Sequence, residues 1–125
     1  MKTLMFLAIA TLATPAAATG ISTHVLDLAK GIGGPGVPVV LDQRTATGWA
    51  EVSRGTTDGE GRIRSFGRED FAAGDYRLRF DMQGYSGPQA FFPEISVVFR
   101  IAPDVKHVHV PLVLSPFGYS TYRGT

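Results

Sequence analysis

The chain has 125 residues, of which 44% are hydrophobic and 18% charged, so it can form one domain with a hydrophobic core but not two. Without Lys2, the 12 basic residues become 11 and equal the 11 acidic ones. This neutrality argues against nucleic acid or an anionic membrane as a partner. Cysteine is absent, so the core and contacts between subunits, rather than disulfides, must hold the domain together.

The first 18 residues are typical of a secretory signal peptide. Lys2 precedes the apolar run 4–12, and three alanines at 16–18 form a small-residue cleavage site. The apolar run is too short for a permanent transmembrane helix. We therefore expect residues 1–18 to be removed and residues 19–125 to form an exported domain, with a leader of the kind used for the bacterial periplasm.

The rest of the chain has the pattern of short strands, because Gly and Pro recur at turn-like intervals and the runs between them alternate in polarity. A short helix is predicted at 81–86. About seven or eight strands in one domain predict an all-β sandwich. The clearest strands, in chain order, span residues 22–28, 37–44, 48–54, 62–66, 76–80, 94–101 and 107–114.

The strand at 107–114 separates two kinds of side chain. A period of two places its valines and leucines at 108, 110, 112 and 114 on the core face, and His107 and His109 on the outer face. Apolar residues share that outer face, which predicts that a second subunit covers it. Pro111 has no N–H for a ladder, so we expect a bulge or an edge there.

His24, His107 and His109 are the three histidines of the chain, and their chemistry has two interpretations. Three histidines could bind zinc and leave a fourth position open for water. Alternatively, a histidine with a pKa near its ordinary value of about 6.5 could carry protons without a metal. Residue types and spacing leave both interpretations open.

The sequence supports none of three other common catalytic or cofactor-binding motifs. The glycines at 31, 33 and 36 match a dinucleotide-binding pattern, but Pro35 and Pro38 forbid the helix that this pattern must open. The chain has no cysteine nucleophile and no Gly-x-Ser-x-Gly sequence. The aromatic, glycine-bearing terminus 115–125 is unusual for a tail, and we expect it to complete the core, add a last strand or contribute to a site.

Three segments carry a resemblance to a known family. The closing segment His-Val-His-Val-Pro-Leu-Val-Leu-Ser-Pro-Phe-Gly-Tyr-Ser-Thr-Tyr-Arg-Gly, residues 107–124, is the most specific. The opening His-Val-Leu-Asp begins at His24, and residues 57–62 read Thr-Asp-Gly-Glu-Gly-Arg where the family has Thr-Asn-x-Asp-Gly-Arg. From Ser22 to the end, the chain resembles the 5-hydroxyisourate hydrolases, which are transthyretin-related proteins.

The resemblance implies a transthyretin-like β-sandwich of two four-stranded sheets with one short helix. It also implies a homotetramer, a dimer of dimers, with active sites in the channel where the dimers meet. The implied reaction is hydrolysis of 5-hydroxyisourate to 2-oxo-4-hydroxy-4-carboxy-5-ureidoimidazoline, without cofactor or metal. No nucleic-acid or membrane partner is implied.

By this resemblance, His24, Arg62 and His109 are the catalytic residues, and either histidine could be the base. The residues implied to bind substrate or complete the site are His24, Arg62, Tyr122, Arg123, Gly124 and Thr125. Thr125 replaces the usual terminal Ser and keeps its hydroxyl. Transthyretin shares the fold as a hormone carrier, so the alternative function is a ligand carrier without catalysis. A carrier of bulky apolar ligands needs an open apolar channel, whereas these side chains predict a polar one.

Overall fold

The computed structural model describes residues 19–125. The predicted signal peptide at 1–18 lies outside the described residues, so its removal stays a prediction. Within the described part, no helix combines the length and hydropathy needed to cross a membrane.

The described residues form nine strands and one short helix, arranged as two facing sheets. The all-β sandwich predicted from the alternating pattern is confirmed, as is the helix predicted at 81–86. The elements in chain order are β1 (Gly20–Asp27), β2 (Ile32–Gly33), β3 (Pro38–Thr45), β4 (Gly48–Thr56), β5 (Arg62–Ile63), β6 (Gly74–Asp81), α1 (Met82–Ser86), β7 (Glu94–Ile101), β8 (His107–Ser115) and β9 (Gly118–Thr121).

The first sheet has the order β2-β1-β8-β9, and the second has the order β4-β3-β6-β7. β1 and β8 are parallel, while the other pairs are antiparallel. β5 also pairs with β1, so the first sheet has five strands where the resemblance implied four. This short fifth strand joins the sheet because the turn before it leads the chain back along β1.

The core lies between the sheets and is built by alternation along each strand. Ile21 and Val25 of β1 face Leu41 of β3 and Leu78 of β6, and all four are fully buried. Each such side chain contributes about 1.5–3 kcal/mol through burial. On the helix, the Asp81 carboxylate accepts from the N–H of Gly84 at 3.0 Å and caps the first turn.

The strand predicted at 62–66 is shorter than expected, because β5 ends at Ile63. Phe66 leaves the ladder and inserts into the core. Its carbonyl accepts from the Ser53 hydroxyl at 2.6 Å, and Gly67 follows with φ of 86°. β5 pairs with β1 only at Arg62 and Ile63, so the pairing ends before Phe66, and the positive φ of Gly67 turns the chain after it.

The prediction of an edge or bulge at Pro111 is wrong, because β8 lies between β1 and β9 and pairs with β1 without a register shift. On the other side, the ladder with β9 reaches Leu112 opposite Thr121, and pairing resumes with His109 opposite Gly124. Pro111 falls between these two pairs, where its missing N–H leaves a gap. Its carbonyl accepts from the Thr121 hydroxyl at 2.7 Å.

Candidate active site

The two strands that carry the histidines are neighbours. β1 runs parallel to β8 with Ser22 opposite His109. Because side chains alternate between faces, Ser22 and His24 from β1 share the outer face of the first sheet with His107 and His109 from β8. The valines and leucines of β8 are buried on the other face, so the predicted outward position of both β8 histidines is confirmed.

The hydroxyl of Ser22 connects the two β8 histidines. Its Oγ lies 2.7 Å from Nε2 of His107 and 2.7 Å from Nδ1 of His109. Ser22 is 7% exposed, so these two rings are its main hydrogen-bond partners and water has little access to it. The histidines therefore belong to one hydrogen-bonded group.

A tight turn before β5 positions Arg62. The Asp58 carboxylate accepts from the backbone N–H groups of Arg62 and Glu60, at 2.9 Å each, and these bonds lower the pKa of Asp58. Gly61 has φ of 82°, and a Cβ there would lie 2.5 Å from a backbone oxygen of β1. Asp58 thus closes the turn in place of the family's Asn, and Arg62 pairs opposite His24.

The same turn orients the ring of His24. Its Nε2 lies 2.9 Å from the carbonyl oxygen of Glu60. A carbonyl can only accept, so Nε2 carries the hydrogen and donates it. In the neutral ring, Nδ1 of His24 therefore keeps the lone pair and is the nitrogen that can accept a proton.

The C-terminal tail returns to the β8 histidines. The N–H of Gly124 donates to the carbonyl of His109 at 2.9 Å. A Cβ on Gly124 would lie 2.5 Å from Cδ2 of His109, a separation too short for any side chain. Glycine therefore allows the tail to pack on the ring, and Thr125 follows it into the cleft.

These elements enclose a cleft of about 280 Å³. Burial lowers the pKa of His109, and the nearby charge of Arg62 lowers it further. His109 is therefore neutral at pH 7 and able to accept a proton, beside a cation that can stabilise negative charge. The residues that line the cleft are Ser22, Thr23, Arg62, Ile63, Arg64, His107, His109 and Thr125.

Two of the implied substrate contacts lie elsewhere in the single chain. Tyr122 and Arg123 line a second cavity, of about 380 Å³, beside Val97 and Phe99 of β7. The structure thus brings Arg62, His109 and Thr125 into one cleft, with Gly124 against His109 and His24 opposite Arg62. Substrate contacts by Tyr122 and Arg123 stay predictions.

The residue patterns missed two members of the site, Ser22 and Asp58. Ser22 lies two positions before His24, so the period of two already placed it on the same face. Only the pairing of β1 with β8 places it between the histidines of β8. Asp58 was recognised as part of the turn, but its role as the acceptor that holds Arg62 depends on the turn's geometry.

Among residues 19–125, no group of three or more His, Asp or Glu side chains is arranged to hold a metal ion. His107 and His109 direct one ring nitrogen each at Ser22, while His24 directs one at Glu60. Chelation of the purified protein tests whether turnover needs a metal.

A family model and relatives of known name match most of this chain. The model of the transthyretin family, described as the HIUase/Transthyretin family, matches residues 21–124. The chain is 47% identical over 109 residues to a 5-hydroxyisourate hydrolase of Salmonella dublin, which covers 84% of this chain and 80% of that protein.

Solved structures show the same fold. Sea bream transthyretin in complex with thyroxine is 34% identical, with a TM-score of 0.77 over 85% of this chain and 95% of that one. Klebsiella pneumoniae 5-hydroxyisourate hydrolase is 29% identical, with a TM-score of 0.74 over 87% of this chain and 95% of that one. The chain therefore belongs to the HIUase/transthyretin family.

Proposed function

We propose that this chain is an enzyme of urate degradation that hydrolyses 5-hydroxyisourate to 2-oxo-4-hydroxy-4-carboxy-5-ureidoimidazoline. One observation carries the proposal: a single cleft joins His109, Arg62 and Thr125. The cleft occurs in a chain that is 47% identical to a protein named 5-hydroxyisourate hydrolase. The substrate is a planar ring with several carbonyls, so a proton acceptor beside a fixed cation suits its hydrolysis.

His109 is the general base in this scheme. Its pKa is lowered by burial and by the charge of Arg62, so the ring is neutral at pH 7 and takes a proton from water. The resulting hydroxide adds to a ring carbonyl. The C–N bond then breaks, and the departing nitrogen takes the proton back from the His109 imidazolium, which restores the neutral histidine.

Arg62 and His24 support the reacting ring. The carbonyl oxygen becomes negative as hydroxide adds, and the Arg62 guanidinium stabilises that charge in a partly enclosed cleft. His24 holds its Nε2 on the Glu60 carbonyl and so presents Nδ1 as an acceptor for a substrate N–H. The Thr125 hydroxyl, on a residue that lines the cleft, provides a further acceptor for the nitrogen-rich ring.

A ligand carrier is the alternative function, since sea bream transthyretin has been solved with thyroxine. Thyroxine is bulky and apolar, and such a ligand calls for apolar walls. In this chain, two arginines and two histidines line the cleft with Ser22 and Thr125. Their polarity favours a small, hydrogen-bonding substrate over an apolar hormone.

We also propose a homotetramer, a dimer of dimers, in which the cleft opens into a channel between dimers. In the single chain the cleft lies on the outer face of the first sheet, where a second subunit would enclose it. The large apolar side chains Phe91, Phe117 and Tyr119 are exposed in the isolated chain, which supports burial by assembly. Tyr122 would then reach a cleft through the assembly.

Export to the periplasm is our proposal for the location. Its support is the leader at 1–18, with its basic start, apolar run and alanine-rich end. Mass spectrometry of protein recovered from cells should show a mature chain that begins near Thr19. An intact Met1 on cytoplasmic protein would contradict export without affecting the proposed reaction.

The proposed reaction has a direct test. Purified mature protein is added to freshly generated 5-hydroxyisourate, and the ultraviolet decay of the substrate is compared with the spontaneous rate. Decay should accelerate in proportion to protein concentration. A rate equal to the spontaneous one, together with tight binding of thyroxine, would favour the carrier instead.

A further inference from the structure

The hydroxyl of Ser22 has a restricted hydrogen-bond environment. Its oxygen is 2.7 Å from a ring nitrogen of His107 and 2.7 Å from one of His109, and the residue is nearly inaccessible to water. Both contacts are on the outer face of the first sheet, and all three residues line the cleft. The group is a chain of three side chains that ends at the proposed general base.

The shared hydroxyl of Ser22 couples the tautomers of His107 and His109. A serine hydroxyl has one hydrogen and two lone pairs, so Ser22 can donate to only one of its two histidine partners. The other ring must donate to Ser22 from the nitrogen that faces it. When both rings are neutral, the tautomer of His107 therefore determines the tautomer of His109, and the reverse.

Ser22 can donate either to His107 or to His109, and the surroundings of the two rings favour donation to His107. Nδ1 of His109 is directed at Ser22, so Nε2 is the nitrogen that can meet the charge of Arg62 with a lone pair, which a nearby cation favours over an N–H. His107 is exposed whereas His109 is partly buried. Water can therefore accept a hydrogen bond from the Nδ1–H of His107. Both conditions are met when Nδ1 of His109 donates to Ser22 and Ser22 donates to Nε2 of His107.

We propose that Ser22 is a positioning residue that holds neutral His109 in the tautomer whose Nε2 lone pair faces the cleft, and that links this ring to His107. The inference rests on the proposed function, in which His109 is the base. Without the Ser22 hydroxyl, only the backbone of Ser22 would still hydrogen-bond His109, and the ring would shift towards the tautomer with its hydrogen on Nε2, which a free histidine side chain favours in water. That tautomer cannot take a proton from a water molecule in the cleft.

The link also gives the proton a path. When Nε2 of His109 accepts a proton from water, Nδ1 can release its own proton to Ser22, and Ser22 can pass its hydroxyl proton to Nε2 of His107. The positive charge then rests on His107, which is more exposed than His109. The reverse movement returns the proton to the departing nitrogen, so the three groups end as they began.

The test compares Ser22→Ala with Ser22→Thr, which keeps a hydroxyl. The matched control is Ser53→Ala. Ser53 lies on β4 in the second sheet, and the substitution removes its hydrogen bond of 2.6 Å to the Phe66 carbonyl. Ser22→Ala should lower kcat by about 10-fold with little change in KM, a loss typical of one hydrogen bond. Ser22→Thr should recover most of the rate, and Ser53→Ala should keep it.

The tautomers provide a readout that does not depend on activity. Long-range ¹H–¹⁵N NMR distinguishes ring tautomers, and three histidines make assignment simple. Neutral His109 should carry its hydrogen on Nδ1 in the wild type and shift towards the Nε2–H form in Ser22→Ala. Wild-type His109 with its hydrogen on Nε2 would overturn the proposal, and so would an unchanged tautomer in Ser22→Ala.

These experiments distinguish failure of the proposed hydrolysis from failure of the proposed role of Ser22. A wild-type protein that does not hydrolyse 5-hydroxyisourate would overturn the proposed function, while the tautomer measurement would still decide the role of Ser22. An active enzyme whose kcat is the same in wild type and Ser22→Ala would overturn the positioning role and leave the function standing. If Ser22→Ala does not fold, the wild-type tautomer alone decides.

Discussion

Gly124 packs against the ring of His109 so closely that no other residue fits at position 124. Its N–H donates to the His109 carbonyl at 2.9 Å, and a Cβ would lie 2.5 Å from Cδ2 of the ring. The chain terminus is therefore part of the wall around the proposed base. A change at Gly124 should act on the site before it acts on the fold, because the terminus lies outside the core.

Gly124→Ala should displace the tail, and Thr125 with it, from the cleft. We expect kcat/KM to fall roughly 10-fold to 10²-fold, because a misplacement of about 1 Å can cost this much, with little change in Tm. The control is Gly59→Ala, where an added Cβ has no neighbour within 4 Å. A fully active Gly124→Ala would show that the tail is not part of the site.

Substitution of a proposed catalytic residue should lower turnover more than substitution of the neighbouring His107. His24→Asn, His109→Asn and Arg62→Ala should each lower turnover by roughly 10²-fold or more, the usual size of proton-transfer and charge-stabilising effects. His107→Asn should cost less, because His107 acts through Ser22. Steady-state kinetics on the four variants decide this, and equal losses from all three histidine variants would contradict the assignment.

Activity should persist to lower pH than an ordinary histidine base allows. Burial and the charge of Arg62 lower the pKa of His109, and a base works in its deprotonated form. The acid limb of kcat/KM should therefore fall below about pH 6.5. NMR titration of the His109 ring should give the same midpoint, and a midpoint above 6.5 would contradict the prediction.

Removing the charge of Arg62 should reverse part of this shift. Arg62→Gln should raise the pKa of His109, so its titration midpoint should move to higher pH. Arg100→Gln is the control, because Arg100 pairs with Asp75 at 2.7 Å in the second sheet. A midpoint that moves equally in both variants would indicate a general charge effect instead.

Chelation separates the metal-free scheme from a zinc site. If a histidine takes the proton from water without a metal, turnover should be nearly unchanged after dialysis against a strong chelator. Elemental analysis of the same sample confirms that any metal has been removed. Activity that is lost with the chelator and restored by added zinc would revive the zinc interpretation of the three histidines.

Deletion of residues 122–125 tests the tail and the assembly together. The core strand β8 ends at Ser115 and β9 at Thr121, so the truncated chain should fold and remain a tetramer with little activity. Light scattering and the decay assay on one sample give both answers. A fully active truncation, or a wild type that is monomeric while active, would place the site outside an assembly channel.

Residue order alone determined the strands and the face that each side chain occupies, because polarity with a period of two is a local property. It placed His107 and His109 on the outer face, and it carried the motifs that identify the family. It missed two features that depend on the neighbouring strands. These are the early end of β5, which starts at Arg62, and the central position of Pro111 in the first sheet.

The tertiary structure decided which of these residues meet. Ser22 and His109 are 87 positions apart, and no local pattern specifies that β1 lies parallel to β8 in the register that joins them. Packing of the two sheets selects that register, since a slip of one residue would bury the histidines and expose the valines. The cleft, the Ser22 link and the return of Gly124 to His109 all follow from that long-range choice.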